Sequence, residues 1–145
     1  LSRLVVEGTL EALDEVAEFV LKASQEAGLE RKAAYRLRLA VDEIATNIVN
    51  YGYLASGSSG SITVEADLTP DWLTIRLEDT APLYDPRNRD MPTEEELALP
   101  LEERPIGGLG IYLTLQGVDE FDYRATETGN CNIFRMRRPQ GEGHA

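Results

Sequence analysis

The chain is poor in the side chains that most catalytic and metal-binding schemes rely on. It has one cysteine, Cys131, which excludes an internal disulfide and leaves no metal-site spacing. It has one histidine, His144, next to the last residue in a Gly-rich tail expected to fray. Chemistry by a buried histidine is thereby closed off. No apolar run nears the ~20 residues needed to cross a bilayer, and no basic-then-apolar start marks a secretory signal. No membrane association and a reducing, cytoplasmic setting are the expectation. Basic residues are scarce: 14 Lys and Arg stand against 26 Asp and Glu, a net charge of −12. Phosphate neutralisation needs clustered Lys and Arg, so direct nucleic-acid binding is not expected. The surplus acid suits basic partner surfaces, although a solvated acidic exterior is the blander explanation.

What is present is ordinary in bulk and patterned in detail. A chain of 145 residues, 42% apolar, most simply makes one domain. "RLVVEG" reads as a first strand ending at Gly8. Thr9 is a candidate N-cap for a helix whose apolar positions are Leu10, Leu13, Val16, Ala17 and Val20, stopped by Gly28. A second helix runs from Glu30 to about Asn50, with Leu37, Val41, Ile44 and Ile48 as its stripe. After the flexible "ASGSSGS", the segments "SITVEADL" and "WLTIRLED" alternate with period two around "TPD", a hairpin signal. From Thr80 to Pro105 the pattern dissolves over about 26 residues, longer than ordinary connections and typical of a functional lid or a disordered segment. "TEEELAL" within it can form one or two helical turns. "GGLGIYLTLQG" reads as a helix bounded by glycine, and "DEFDYRAT" and "NCNIFRMRR" as a hairpin around "ETGN". The order β-α-α-β-β-lid-α-β-β predicts an α+β fold, a two-layer sandwich with a mixed, mostly antiparallel sheet and helices on one face. The expected domain is 1–138, with a lid at about 87–107 and a disordered tail at 139–145.

Three clusters can carry chemistry. In "LAVDEIATNIVNYGYL", at ~100° per residue, Glu43, Asn47 and Asn50 share an arc of about 60° flanking the apolar stripe. A carboxamide oxygen there can ligate Mg²⁺, and a carboxylate can deprotonate a nucleophile; a solvated polar face is the alternative. In "LTIRLEDTAPLYDP", Leu73, Ile75 and Leu77 alternate inward and Asp79 falls on their face. An inward carboxylate is costly without a donor. The exocyclic amine of a purine is one such donor, and a turn-capping role wetted by solvent is the other reading. Gly107, Gly108 and Gly110 precede and open a helix, where backbone N–H groups can approach an anion. The Lys-Ser/Thr pair of a Walker A loop is missing.

The order of the three clusters resembles the GHKL ATPases, the Bergerat ATP-binding fold, and more narrowly the serine kinases that act as anti-sigma factors. "VDEIATNIVNYGY" is similar to that family's N box, "LEDTAPLYDP" to its adenine box and "GGLGIYL" to its phosphate-binding glycine box. The resemblance implies ATP and Mg²⁺ as cofactors. By that likeness Asn47 ligates the metal, Glu43 is the general base and Asp79 accepts the adenine amine. Ala81 lies beside the base, and Gly108, Leu109 and Gly110 hold the phosphates. Asn50 lies where relatives carry a basic or polar residue near the phosphates. Two departures stand out. Ala81 replaces the glycine of the family's Asp-x-Gly, and Cys131 or Asn132 stands where the last strand offers a Thr. The implied function is phosphorylation of a serine on a STAS-domain anti-sigma-factor antagonist, alternating with sequestration of a sigma factor, in a homodimer. The competing expectation is a nucleotide-sensing or protein-binding module without phosphotransfer. A self-contained histidine kinase is not expected, because no dimerisation helix carries a phosphoacceptor histidine. The start at "LSRLVVEG" leaves open a domain of a longer protein.

Overall fold

The structure, a computed structural model, describes residues 1–88 and 114–139. Five strands form one sheet in the order β1-β2-β3-β5-β4. They are β1 (Ser2–Glu7), β2 (Ser61–Leu68), β3 (Trp72–Asp79), β4 (Glu120–Ala125) and β5 (Asn130–Arg137). Among the described residues every neighbouring pair is antiparallel, with none of the parallel pairing of a mixed sheet. Two helices, α1 (Leu13–Glu26) and α2 (Arg31–Asn47), pack on each other and on one face of the sheet.

The period-two reading of the strands holds residue by residue. Leu73, Ile75, Leu77 and Asp79 are buried on β3, and Ile62, Val64 and Ala66 on β2. Their side chains meet Val16 and Val20 from α1 and Leu37, Val41 and Ile44 from α2 in one apolar core. The outer face is polar, with Arg76 near both Glu65 and Asp67 across the strands. Exposed pairs of this kind contribute little stability; they make this face compatible with water.

Local differences from the sequence reading have simple causes. Thr9 takes the extended backbone of a cap but makes no side-chain cap bond, and a single 3₁₀ turn, Leu10–Ala12, precedes α1. α2 ends at Asn47 and the chain continues in wider π winding from Ile48 to Leu54. There the Ala55 N–H donates to the Asn50 carbonyl, five residues back, at 3.0 Å. The hairpin turn after β4 presses against the end of β3. A Cβ on Gly129 would lie 2.0 Å from the Asp79 carbonyl oxygen, so only glycine fits this contact. The lid from 89 onward, the "TEEELAL" turns, the opening of the glycine helix and the tail from 140 onward lie outside the described residues, as do Gly108, Leu109, Gly110 and His144. No described helix is long and apolar enough to cross a membrane.

Candidate functional site

The site lies where α2, the end of β3 and the start of β5 meet. Period two carries Asp79 onto the inner face at the last position of β3, leaving it 4% exposed. Its two carboxylate oxygens do different work. Oδ1 accepts from the Ala81 N–H at 3.0 Å and from the Asn130 amide at 2.8 Å, while Oδ2 is buried with no partner. The capping role and the role of a free acceptor are therefore both present, one per oxygen. Burial raises the Asp79 pKa above the ordinary value, and the bonds from Asn130 and Ala81 only partly offset it.

The β3–β5 register settles which residue stands beside Asp79. Asn130 faces it directly, whereas Asn132 faces Leu77 and Cys131 faces Glu78. The sequence reading left Cys131 and Asn132 open. Asn132 lies on the inner face, Cys131 lies on the other, and the residue bonded to Asp79 is Asn130, which that reading missed. Asn130 also organises the segment after β3. Its amide nitrogen donates to the Ala81 and Pro82 carbonyls, each at 3.2 Å. Its oxygen accepts from the Tyr84 N–H at 2.9 Å and from the Tyr123 hydroxyl. On the opposite side the buried Tyr53 hydroxyl donates to the Ser61 carbonyl at 2.7 Å and accepts from the Thr80 N–H at 2.9 Å. Two clamps thus hold Thr80–Tyr84 rigidly over the sheet end.

These elements enclose a cavity of about 220 Å³. Its apolar walls include Ile44, Ile48, Ala81, Pro82 and Leu83, with Asn47, Asp79, Asn130 and Asn132 as polar points. Among the described residues, the buried side-chain atoms with no hydrogen-bond partner are Asn47 Nδ2, Asp79 Oδ2 and Asn132 Oδ1. All three residues line this one cavity. Each such atom left unmet costs about 1–3 kcal/mol, and an apolar chamber with a few convergent polar groups is the usual form of a small-molecule site. The volume suits a planar ring system rather than a whole nucleotide.

The remaining candidates divide. Asn47 closes α2 and faces the cavity. Glu43, one turn earlier and half-buried, is not among the lining residues; burial alone raises its pKa. Asn50 falls in the π winding, where the α-helical arc no longer applies, and it too lies outside the lining. No described group of three or more His, Cys, Asp or Glu side chains can hold a metal ion. A metal at Asn47 would take its other ligands from phosphate oxygens and water, the usual habit of Mg²⁺.

Ala81 is accommodated. No non-glycine residue in the described chain has positive φ, so the backbone here does not demand glycine. Its methyl instead meets Gly52, where a Cβ would lie 2.8 Å away, well inside the 3.5–4.0 Å at which carbons pack. Gly52→Ala is expected to destabilise the fold by about 1–3 kcal/mol, and Gly52→Ala with Ala81→Gly to recover most of that loss. Urea unfolding of the two variants checks this pairing. A fully stable single variant would show that the methyls do not compete.

Comparison with known proteins agrees with this fold. The family model described as histidine kinase-like ATPase domain matches residues 6–137. Among solved structures, the histidine kinase domain of the Erythrobacter litoralis EL346 blue-light activated histidine kinase is 17% identical. The match covers 86% of this chain and 58% of that one, with a TM-score of 0.51. A structure of the Erythrobacter litoralis EL346 blue-light activated histidine kinase itself is 16% identical, covering 92% and 42%, with a TM-score of 0.54. At these identities the likeness is one of fold, and the chain spans about two-fifths to three-fifths of those proteins. No curated protein matches.

Proposed function

Because the chain belongs to the histidine kinase-like ATPase domain family, we propose that its cavity takes the purine of ATP and that the chain is a regulatory protein serine kinase. The observation that carries the nucleotide reading is the convergence of Asn47 Nδ2, Asp79 Oδ2 and Asn132 Oδ1 on one apolar chamber. Asp79 Oδ2 accepts the exocyclic amine of the base. Asn47, whose amide exchanges oxygen and nitrogen by a half-turn of its terminal torsion, would hold Mg²⁺ through Oδ1. Glu43, its pKa raised by burial, takes the proton of the incoming serine hydroxyl. Gly108, Leu109 and Gly110 are assigned to the phosphates by their resemblance to the glycine box. MgATP, when bound, would supply the terminal phosphoryl group, which would pass to the serine oxygen as its bond to ADP breaks.

The serine acceptor, on a STAS-domain anti-sigma-factor antagonist, and the alternating sigma-factor partner are supported by the order of the three boxes in the sequence. A second reading, a nucleotide sensor without phosphotransfer, is favoured by one observation: Glu43 stands outside the residues that line the cavity. Two measurements separate them. Calorimetric titration with ATP, with and without Mg²⁺, is expected to give magnesium-dependent binding. Labelled ATP is then expected to mark a serine of the STAS partner. Binding without transfer to a cognate STAS partner assigns the sensing role, and no binding removes both.

A further inference from the structure

Asn132 is a polar side chain in an otherwise apolar setting. The inner face of β5 carries Asn130, Asn132, Phe134 and Met136, each no more than 3% exposed. Asn132 stands opposite the fully buried Leu77 on β3 and beside Tyr123 on β4. Valine or leucine would pack there at no electrostatic cost, whereas an amide with an unmet oxygen lowers stability.

The two asparagines of this face contrast. Asn130 uses both ends of its amide inside the protein, on Asp79, Ala81, Pro82, Tyr84 and Tyr123. Asn132 Oδ1 is buried with no partner, and the residue lines the same cavity. Asn130 ties the fold together; the Asn132 oxygen is left for something that enters. Depth decides which part of a purine it meets. The exposed lining residues Leu83, Tyr84 and Tyr51 mark the mouth of the cavity. Asn132, two residues further from the sheet end than Asn130, belongs to the floor. A purine joined to ribose through N9 enters with its five-membered ring toward the mouth. The edge that reaches the floor is then N1 with the amine at C6, while N7 stays nearer the ribose.

We infer that Asn132 reads this edge directly, its Oδ1 accepting one hydrogen of the adenine amine and its Nδ2 donating to N1, while Asp79 Oδ2 accepts the second amine hydrogen. The inference rests on the purine reading proposed above and adds a residue to it. A primary amide sets an acceptor beside a donor, and adenine sets a donor beside an acceptor, so the two pair in the bidentate manner that asparagine uses on adenine in DNA grooves. The amine has two hydrogens, and Asp79 Oδ2 and Asn132 Oδ1 are two unpaired acceptors, so one ligand group would satisfy both. They can share it because Asp79 faces Asn130, which makes Asn132 its diagonal neighbour. Diagonal pairs lie about 7–8 Å apart at the backbone, a gap that two side chains converging on one nitrogen can close. The two residues then divide recognition. The Asn132 amide can turn over and pair equally with the carbonyl and N1–H of hypoxanthine, so it supplies affinity. Asp79, acceptor-only when ionised, excludes the carbonyl at C6.

The test removes atoms from the ligand as well as from the protein. In calorimetric titration with Mg²⁺, 1-deaza-ATP, with C–H in place of N1, is expected to bind the wild type about tenfold more weakly than ATP. 7-deaza-ATP is expected to bind within about threefold of ATP. Asn132→Val, whose methyls stop one bond short of the amide and suit a strand, is expected to lower ATP affinity about thirtyfold. It should also bind ATP and 1-deaza-ATP alike. Without nucleotide this variant is expected to melt about 2–4 °C above the wild type, because the unmet oxygen is gone. That rise separates lost pairing from lost folding, and the comparison of the two deaza nucleotides on the wild type needs no variant. ATP affinity that survives Asn132→Val would overturn the inference and make Asn132 the seat of a buried water. A wild type that accepts 1-deaza-ATP as readily as ATP would overturn it as well, and both results leave the purine reading standing. A wild type that binds none of the three nucleotides removes the purine reading and the inference with it.

Discussion

Asp79→Asn is expected to lower ATP affinity about a hundredfold while making the nucleotide-free protein more stable at neutral pH. Both effects come from the division of labour between the carboxylate oxygens. In the variant, the amide oxygen keeps the bonds from the Ala81 N–H and Asn130, which leaves the amide nitrogen where Oδ2 now stands. A donor then meets the donor amine of the base. Losing a hydrogen bond to a charged acceptor and leaving both groups unpaired costs about 3 kcal/mol, which is about two orders of magnitude in binding. The stability gain has the opposite origin. The folded-state pKa of Asp79 is raised, chiefly by burial, so the native state holds its proton to higher pH than the unfolded chain does. Stability is then full below the unfolded value and falls as pH rises through the raised folded value. Asn carries no charge to desolvate, and its stability lacks that fall. Titration calorimetry gives the first effect; melting temperatures of both proteins from about pH 4 to about pH 8 give the second. Unchanged ATP affinity would remove the adenine assignment. Parallel pH curves would show that Asp79 is not held at a cost.

Much of this site was legible in the sequence because two periodicities carry it. The step of two along "LTIRLED" placed Asp79 on the inner face, and helical spacing set Glu43 and Asn47 one turn apart on α2. The arc that groups Asn50 with Glu43 and Asn47 assumes α-helical phase, which ends at Asn47, where the winding widens. Nothing in "NIVNYGYL" announces that change; it accompanies the burial of Tyr53, whose hydroxyl ties Ser61 to Thr80. Asn130 escaped notice for a related reason. Which of the residues in "GNCNIF" meets Asp79 depends on the register of the final hairpin. That register is set by contacts distant in sequence, including the close approach of Gly129 to the Asp79 carbonyl. The Ala81 methyl that replaces the family's glycine is accommodated by Gly52, which lies on a different element. Local chemistry can be read locally, but compensation across elements cannot.

Glu43→Gln isolates the proton transfer from everything else the pocket does. Gln keeps the size and hydrogen-bonding reach of Glu and cannot hold a proton. Glu43 lies outside the cavity lining, so ATP affinity is expected to stay within about threefold of wild type, less than 1 kcal/mol. Phosphoryl transfer to the STAS serine is expected to fall about a thousandfold, the middle of the range for general-base catalysis. The pH profile supplies the discriminating detail. Transfer needs Glu43 ionised, and burial raises its pKa above the ordinary 4.5. The wild-type rate therefore drops on the acid side at a higher pH than an exposed glutamate would give, and the residual rate of the variant lacks that limb. If transfer survives the substitution, the base lies elsewhere and Glu43 is a half-buried surface residue of α2. If the wild type binds MgATP but transfers nothing, the same variant changes nothing, and the position of Glu43 outside the pocket becomes the mark of a sensor. The two outcomes differ in one measurable respect, the wild-type rate, so binding and transfer measured on the same two proteins decide between kinase and sensor.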